Sequence, residues 1–453
     1  MQRTECRLIV IAIFAIMTVT LLFAGSGAAS STKILHVFDW ATYPQANLVR
    51  DAAGNLYGTT FDGGGSGCNF GLGCGIVWKL AHNPDGTRTY RILHVFKGAD
   101  GANPYGGLIF DAAGNLYGTT EFGGANGWGV VFKLKPNCDG TWTERVLYSF
   151  TGGAGNPLSG VIFDTAGNLY GTTLSGGDSG WGAVFKLAHS PDGTWTESVL
   201  HSFTGGGDGD GAYPEAGLVF DGAGNLYGTT VYGGSAFSDC PWGYASYGCG
   251  TVFKLKRNPD GTWTYSVPYS FLGGANGGFP QAGLVFDGAG NLYGTGTPYN
   301  TGVPLSPPEG SGGSCAPGAT FGACGVVFKL APNSDGTWTE SVLHVFTGGA
   351  DGADPYAGLT LHAGNLYGTT IFGGCIACDP TGIGYGVVFK LTPTSGGWGE
   401  TVLHAFLGYG RNPVAGVNFD PAGNLYGTTS NGITYATASN AIRTYGLVFE
   451  ITP

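Results

Sequence analysis

Charge is scarce in this chain. Only 11% of its 453 residues are Asp, Glu, Lys or Arg, and the 19 basic residues are scattered among 30 acidic ones. A formal net charge of −11 without any concentrated basic footprint argues against nucleic acid as a partner. Beyond residue 23 there is no apolar run long enough to cross a bilayer, so no membrane span is expected in the mature chain. Neither a Gly-x-Ser-x-Gly elbow nor a Gly-x-x-x-x-Gly-Lys-Ser/Thr loop occurs, and the Gly-Gly runs precede strand-like segments rather than helices. Helical periodicity is missing throughout.

Glycine, by contrast, is abundant at 87 residues, and it is periodic. Gly-Asn-Leu-Tyr-Gly-Thr-Thr begins at Gly54, Gly114, Gly167, Gly224, Gly364 and Gly423, and a copy at Gly290 ends in Gly296 in place of the last Thr. The intervals run from 53 to 74 residues, so the chain is an array of one supersecondary unit. One unit, Pro214 to Phe271, reads as four strands: Ala216–Asp221, Asn225–Thr230, Gly250–Leu255 and Trp263–Phe271. Asp-x-Ala-Gly joins the first two, and Asn258-Pro-Asp-Gly261 the last two, with Pro and Gly where a tight turn needs them. Four antiparallel strands repeated radially make an all-β, seven-bladed β-propeller over residues 33–453. Residues 34–38 (Ile-Leu-His-Val-Phe) match a fourth strand with no preceding three, and the C-terminus supplies three strands with no fourth. The N-terminal strand is therefore expected to complete the C-terminal blade and remove both open edges.

The turn-and-strand order resembles that of NHL and SMP-30-like propellers. More specifically, AGLVFD-x-AGNLYGTT, VFKL and DGTWTE-x-VLH-x-F resemble the choice-of-anchor tandem-repeat family of GloVer repeats across residues 33–453. That resemblance implies an exported bacterial repeat protein and brings no assigned chemistry. Export also follows from the residues. Arg3 and Arg7 precede an apolar run from Leu8 to Phe23 and small residues from Ala24 to Ser31, the pattern of a signal peptide over residues 1–29. Cleavage is expected after Ala28 or Ala29, with an uncleaved anchor as the alternative, and the mature protein is expected to be a monomer in the envelope or outside the cell. Cysteine usage agrees: Cys68/Cys74, Cys240/Cys249, Cys315/Cys324 and Cys375/Cys378 read as local disulfides, with Cys138 left over. Zinc is the rival for Cys375 and Cys378, but no second Cys-x-x-Cys exists to complete a site.

The first-to-second and third-to-fourth turns are short and nearly constant. Between Thr-Thr and the next strand's Gly, the second-to-third loops hold 14, 8, 8, 19, 28, 15 and 16 residues. They share a face with the variable fourth-to-first connections, and variable loops on a rigid scaffold are where binding is expected. Candidate ligand-binding residues there are Trp242, Tyr244, Tyr247, Tyr232, Trp128, Trp181 and Tyr299, with the carboxylates Asp100, Asp208, Asp210 and Asp351. Trp128, Trp181, Tyr385 and Tyr445, each just before a strand-opening Gly, also read as one repeated packing position. Asp208-Gly-Asp210-Gly has part of the spacing of a calcium loop but lacks its terminal Glu, so a divalent cation is only an option and no metal ligands are assigned. No histidine lies in the second-to-third loops, so neither catalytic residues nor a histidine-bound metal are assigned there. Lys133, Lys186, Lys329 and Lys390 are expected to form cross-strand ion pairs with Glu144, Glu197, Glu340 and Glu400. The sequence thus points to a secreted, non-catalytic propeller that binds a glycan or protein. The alternatives are an enzyme acting on polysaccharide or a lactone, or a structural envelope protein. Acidic residues converging in the central channel with raised pKa would favour the enzyme.

Overall fold

A computed structural model describes residues 30–453 other than 39–41, 66, 69–70, 206–208, 235–239, 241–247, 274–275, 298–323, 380–381, 409, 432–433, 437–441 and 445. The proposed signal segment lies outside the described residues. So do Asp208, Trp242, Tyr244, Tyr247, Tyr299, Cys315 and Tyr445.

Seven four-stranded antiparallel sheets form the seven blades, and among the described residues there is no α-helix. Blade 4 is representative, with strands Val219–Phe220, Leu226–Thr230, Thr251–Arg257 and Trp263–Ser270 in order from the axis outward. The first strand pairs over only two residues, fewer than its apolar run suggests. In blade 7 the outermost strand is Ser31–Val37, running antiparallel to Leu447–Thr452 from Ser31 opposite Thr452 to Val37 opposite Leu447. The ring closes through both termini, as the sequence requires.

Each residue of the repeated heptapeptide has a separate physical task. The first Gly holds a left-handed turn, with φ of +80° at Gly224. Asn and Tyr both donate to the turn Asp: Asn115 Nδ2 and Tyr117 Oη lie 2.6 and 3.0 Å from Asp111 Oδ2. Burial would raise the Asp111 pKa, but those bonds outweigh it and hold the carboxyl below its usual range. Leu is fully buried. The second Gly is a seat for an aromatic ring: a Cβ on Gly171 would lie 2.6 Å from the Phe185 ring, and one on Gly58 2.6 Å from Trp78. The first Thr reaches the next blade. Its hydroxyl donates to a carbonyl three residues before the next blade's first strand at six of the seven junctions, from Thr119 to Ser159 O (2.7 Å), Thr172 to Ala216 O (2.9 Å) and Thr369 to Ala415 O (3.0 Å), and likewise from Thr59, Thr229 and Thr295. At the seventh junction Thr428 has no such partner. There Asn47 Oδ1 accepts from Gly416 N (2.6 Å) and Asn418 Nδ2 donates to Leu48 O. The second Thr bonds locally, as in Thr230 to Tyr232 O.

Aromatic pairs seal all seven junctions. The Phe that ends each fourth strand meets the third-strand aromatic of the next blade edge-on, from Phe96 with Phe132 (5.1 Å) round to Phe38 with Trp78 (5.2 Å). The expected Lys–Glu ion pairs do not form. Register places Glu144 opposite Leu134 and Lys133 opposite Arg145, so the two charges project from opposite faces. Lys133, Lys186 and Lys390 lie over heptapeptide Tyr rings instead, Lys133 at 5.0 Å from the centre of Tyr117.

Cys68–Cys74, Cys240–Cys249 and Cys375–Cys378 are disulfides, and Cys138 is an exposed free thiol. Cys324 is the described half of the expected fourth bridge. Its proposed partner Cys315 lies outside the described residues. Cys324 is a core residue between blades 5 and 6, packed with Tyr293, Val327 and Phe346. Its N–H donates to Phe346 O (3.0 Å) and its carbonyl accepts from Asp354 N (2.8 Å). Backbone bonds and apolar packing thus fix this position before the strand-opening Gly.

Two measurements probe the ring closure. Thr119→Val should lower stability by about 1–3 kcal/mol by orphaning the Ser159 carbonyl, whereas Thr428→Val should change it by less than about 0.5 kcal/mol. Phe38→Ala should cost about 3–5 kcal/mol. Denaturant midpoints at constant m-value decide both, and equal losses at Thr119 and Thr428 would refute the latch.

Candidate functional site at the channel mouth

The axis of the ring is lined by backbone. Gly107, Gly160, Gly217, Gly283, Gly358 and Gly416, with Asn47, succeed one another around it: Gly160 lies against Gly107, Gly217 against Ser159, Gly283 against Gly217, Gly358 against Gly283, and Gly416 against Gly358 and Asn47. Each stands three residues after a proline: Pro44, Pro104, Pro157, Pro214, Pro280, Pro355 and Pro413. Six of the residues before those prolines are left-handed, namely Asn103, Asn156, Tyr213, Phe279, Asp354 and Asn412, with φ from +46° to +59°. Such a backbone is costly for Tyr and Phe, and its repetition marks a constrained entry of the chain into the channel.

The residue after each proline comes two positions before that glycine, and at blade 2 it is Tyr105, which packs against Phe61 of a variable loop. The seven blades place Gln45, Tyr105, Leu158, Glu215, Gln281, Tyr356 and Val414 at this position. Tyr105 and Tyr356, from blades 2 and 6, share a hydrogen bond of 2.9 Å between their hydroxyls and so span the lumen. Gln281 Nε2 donates to Glu215 Oε2 at 3.0 Å. Gln45 is 5% exposed, and neither atom of its amide has a hydrogen-bond partner.

Two further carboxyls join from the neighbouring loops. Glu121 follows Thr-Thr in blade 2, and Asp354 precedes Pro355 in blade 6. Burial pushes Glu121 up to about 7, with the Glu215 charge adding to it. Burial raises Glu215 to about 7 against the opposing bond from Gln281, and burial alone raises Asp354 to about 7. Both tyrosines are pushed up too, chiefly by burial, and both feel the charge of Glu215. The mouth therefore carries carboxyl groups that are close to half-protonated at neutral pH, beside two phenols and a primary amide.

Those residues singled out from sequence that are described lie elsewhere. Asp100, Asp210 and Asp351 are each paired with a fourth-strand histidine: His94 (3.0 Å), His201 (3.2 Å) and His344 (3.7 Å). Asp210 also accepts from the backbone of Thr204 and Gly211. Burial opposes ionisation of Asp210, but its bonds, led by that to His201, prevail and hold its pKa at about 2. Tyr232 is buried against Tyr213 and Phe279. Trp128 lies over Gly152 and Gly155, and Trp181 over Gly205, which is the repeated packing position; Trp128 still leaves 43% of its surface exposed. The channel cluster could have been found in the sequence from one signal, the change of side chain after a repeated Pro.

The family model for the Gloeobacter/Verrucomicrobia repeat matches residues 43–303, more than half of the chain. The fold and the repeat together define an all-β propeller of tandem repeats. The chain belongs to the Gloeobacter/Verrucomicrobia repeat family. No curated protein matches it in sequence. Among solved structures, an ancestral GH74 enzyme aligns at a TM-score of 0.51 and 11% identity over 91% of this chain and 48% of its own. This chain thus spans about half the length of that enzyme, and the similarity is one of fold. A glucose dehydrogenase aligns at 0.39 and 16% identity over 77% of this chain and 96% of its own.

The raised carboxyls carry a pH signature. Glu121, Glu215 and Asp354 hold protons to about pH 7 in the folded chain, against 4.5, 4.5 and 3.8 ordinarily. The folded state binds more protons across that interval, so their contribution to stability falls as pH rises from about 4 to about 7. The triple variant Glu121→Gln, Glu215→Gln, Asp354→Asn should match the wild type near pH 4 and melt higher at pH 8, by about 2 °C per kcal/mol relieved. Identical Tm profiles between pH 4 and pH 8 would refute the assignment.

Proposed function

We propose that this protein is an exported, non-catalytic propeller that binds a glycan at the variable-loop mouth of its channel. The observation that carries the reading is the seven-membered position after the prolines. There Gln45 and Tyr105 on one arc, and Glu215, Gln281 and Tyr356 on the other, are separated by Leu158 and Val414. Amides, carboxyls and phenols at hydrogen-bonding distance of one another match the spaced hydroxyls of a sugar, while Leu158 and Val414 suit its C–H faces. Trp128 and the loop aromatics Trp242, Tyr244, Tyr247 and Tyr299 would extend the surface around the mouth. Three disulfides and the N-terminal signal pattern fit a protein that leaves the cytoplasm.

One observation favours a second reading. A carboxyl near pKa 7 is what a general acid needs at neutral pH, and Glu121, Glu215 and Asp354 all have this property. A glycoside hydrolase would pair one of them, protonated, with an ionised partner across the bond to be cleaved. Glycan-array screening and calorimetry of the mature protein separate the two. Glycan binding without hydrolysis is expected, weakened at least about tenfold by Glu215→Gln, the loss of one charge-assisted hydrogen bond. Tyr105→Phe and the loop variant Trp242→Ala/Tyr244→Ala should also weaken it. Polysaccharide hydrolysis abolished by Glu215→Gln would overturn the binding reading in favour of the enzyme.

A further inference from the structure

A second cluster of chemically active side chains lies far from the channel, between the outer strands of blades 1 and 2. His94 is on the fourth strand of blade 1 (Arg88–Val95), Asp100 on the connection that follows it, and Glu144 on the fourth strand of blade 2 (Trp142–Ser149). One ligand atom from each lies within 4.8 Å of the other two, and His94 Nε2 is 3.0 Å from Asp100 Oδ2. The channel function uses none of them.

We propose that His94, Asp100 and Glu144 form a binding site for a divalent transition-metal ion of the zinc type. An imidazole with two carboxylates is a ligand set such ions accept in tetrahedral or five-coordinate geometry, with water completing the shell. Donor atoms around a zinc ion stand about 3.3 Å apart at bond lengths of about 2.0–2.1 Å. The His94–Asp100 pair is already at that spacing, and Glu144 needs only a side-chain adjustment on the order of 1 Å to reach it. The Asp100 carboxylate is oriented for the task. Its Oδ1 accepts the Lys97 backbone N–H at 2.7 Å, which leaves Oδ2 facing His94. Glu144 Oε1 is buried and has no hydrogen-bond partner. A buried carboxylate oxygen without a donor calls for a cation or a proton, and here it stands beside a second carboxylate and an imidazole.

The repeat provides internal comparisons. At the junction of blades 5 and 6 the same three residue types recur as His344, Asp351 and Glu400; there Glu400 Oε1 is buried without a hydrogen-bond partner and His344 Nε2 lies 3.7 Å from Asp351 Oδ2. At the junction of blades 3 and 4, His201 and Asp210 are kept but Tyr265 stands in place of Glu, its ring stacked on His201 at 3.7 Å. Where a Tyr replaces the histidine, the Glu accepts from it instead, as Glu197 does from Tyr148 at 3.2 Å. All three residue types therefore recur at two of the seven junctions, and at the first their ligand atoms lie within 4.8 Å of one another. The blade 3/4 pairing also shows which residue can replace Glu144 without loss of packing.

The test uses the full mature chain, stripped with a chelator and titrated with Co²⁺ and with Zn²⁺. Co²⁺ should give visible d–d absorption, and competing Zn²⁺ should bleach it. Glu144→Tyr, which copies the His201/Tyr265 pairing, should lose one bound equivalent while Tm in chelator stays within about 2 °C of wild type. Glu144→Gln is a second, near-isosteric variant with the same expected loss. Absence of any Co²⁺ spectrum in the wild type would overturn the proposal. So would a stoichiometry left unchanged by both substitutions.

Discussion

The contact on which the whole ring depends is the close approach of one blade to the next across the heptapeptide. A glycine with no Cβ lets the tip of the third-strand ring reach the second strand, as Phe185 does at Gly171. The Phe from the preceding blade then meets that ring edge-on. Beside this apolar seal, the first Thr hydroxyl crosses to the segment leading into the next blade's first strand and satisfies a carbonyl that would otherwise be buried without a donor. Dispersion, edge-on ring geometry and a buried hydrogen bond thus act at one place. Repetition of that place is what makes a polypeptide with so few charges fold as a ring.

The seventh junction has to do this with different parts, because its blade is assembled from both ends of the chain. Phe38 and Trp78 preserve the aromatic pair, but Thr428 finds no acceptor and Asn47 and Asn418 take over the polar link. Asn47 also stands where the other six blades have glycine, so the closure and the channel wall are modified by the same residue. A junction formed by segments some 370 residues apart is also the one whose formation must come late, since loop-closure entropy precedes its contacts.

Much of this was legible in the sequence because a repeat aligns with itself. Blade number, the split blade and three of the disulfides all follow from counting equivalent segments, as the unpaired fourth strand at Ile34–Phe38 illustrates. Cys324 follows the same count: it shares with Cys74 and Cys249 the buried place before the strand-opening Gly. Other features were not legible. The lysine and glutamate pairs fail because a register offset of one residue, next to a bulge between Val131 and Phe132, sends them to opposite faces. The Tyr105–Tyr356 contact joins residues 251 positions apart, and only the closed ring brings them together. The histidines were read along one strand, whereas their partners come from the following connection and the neighbouring blade: Asp100 and Glu144 for His94.

Loop length is the wrong variable to follow in such a ring. A loop that grows from 8 to 28 residues changes what surrounds the channel mouth, but the segment entering the channel keeps one length in every blade, because the proline turn and the glycine wall allow no insertion. Variation there can only take the form of side-chain identity. Seven identical residues at that position would make a symmetric collar, fit for a ligand with the symmetry of the ring. Tyr105, Glu215, Gln281 and Tyr356 set against Leu158 and Val414 break the symmetry without disturbing the backbone. On the proposed reading, specificity resides in these few identities, and the loops around them determine access. The outer junctions follow the same logic: one position alternates between His and Tyr and its neighbour between Glu and Tyr, and only particular combinations bring three ligand atoms together. A scaffold whose contacts are fixed by repetition leaves chemistry to the positions where the repeat is broken one side chain at a time.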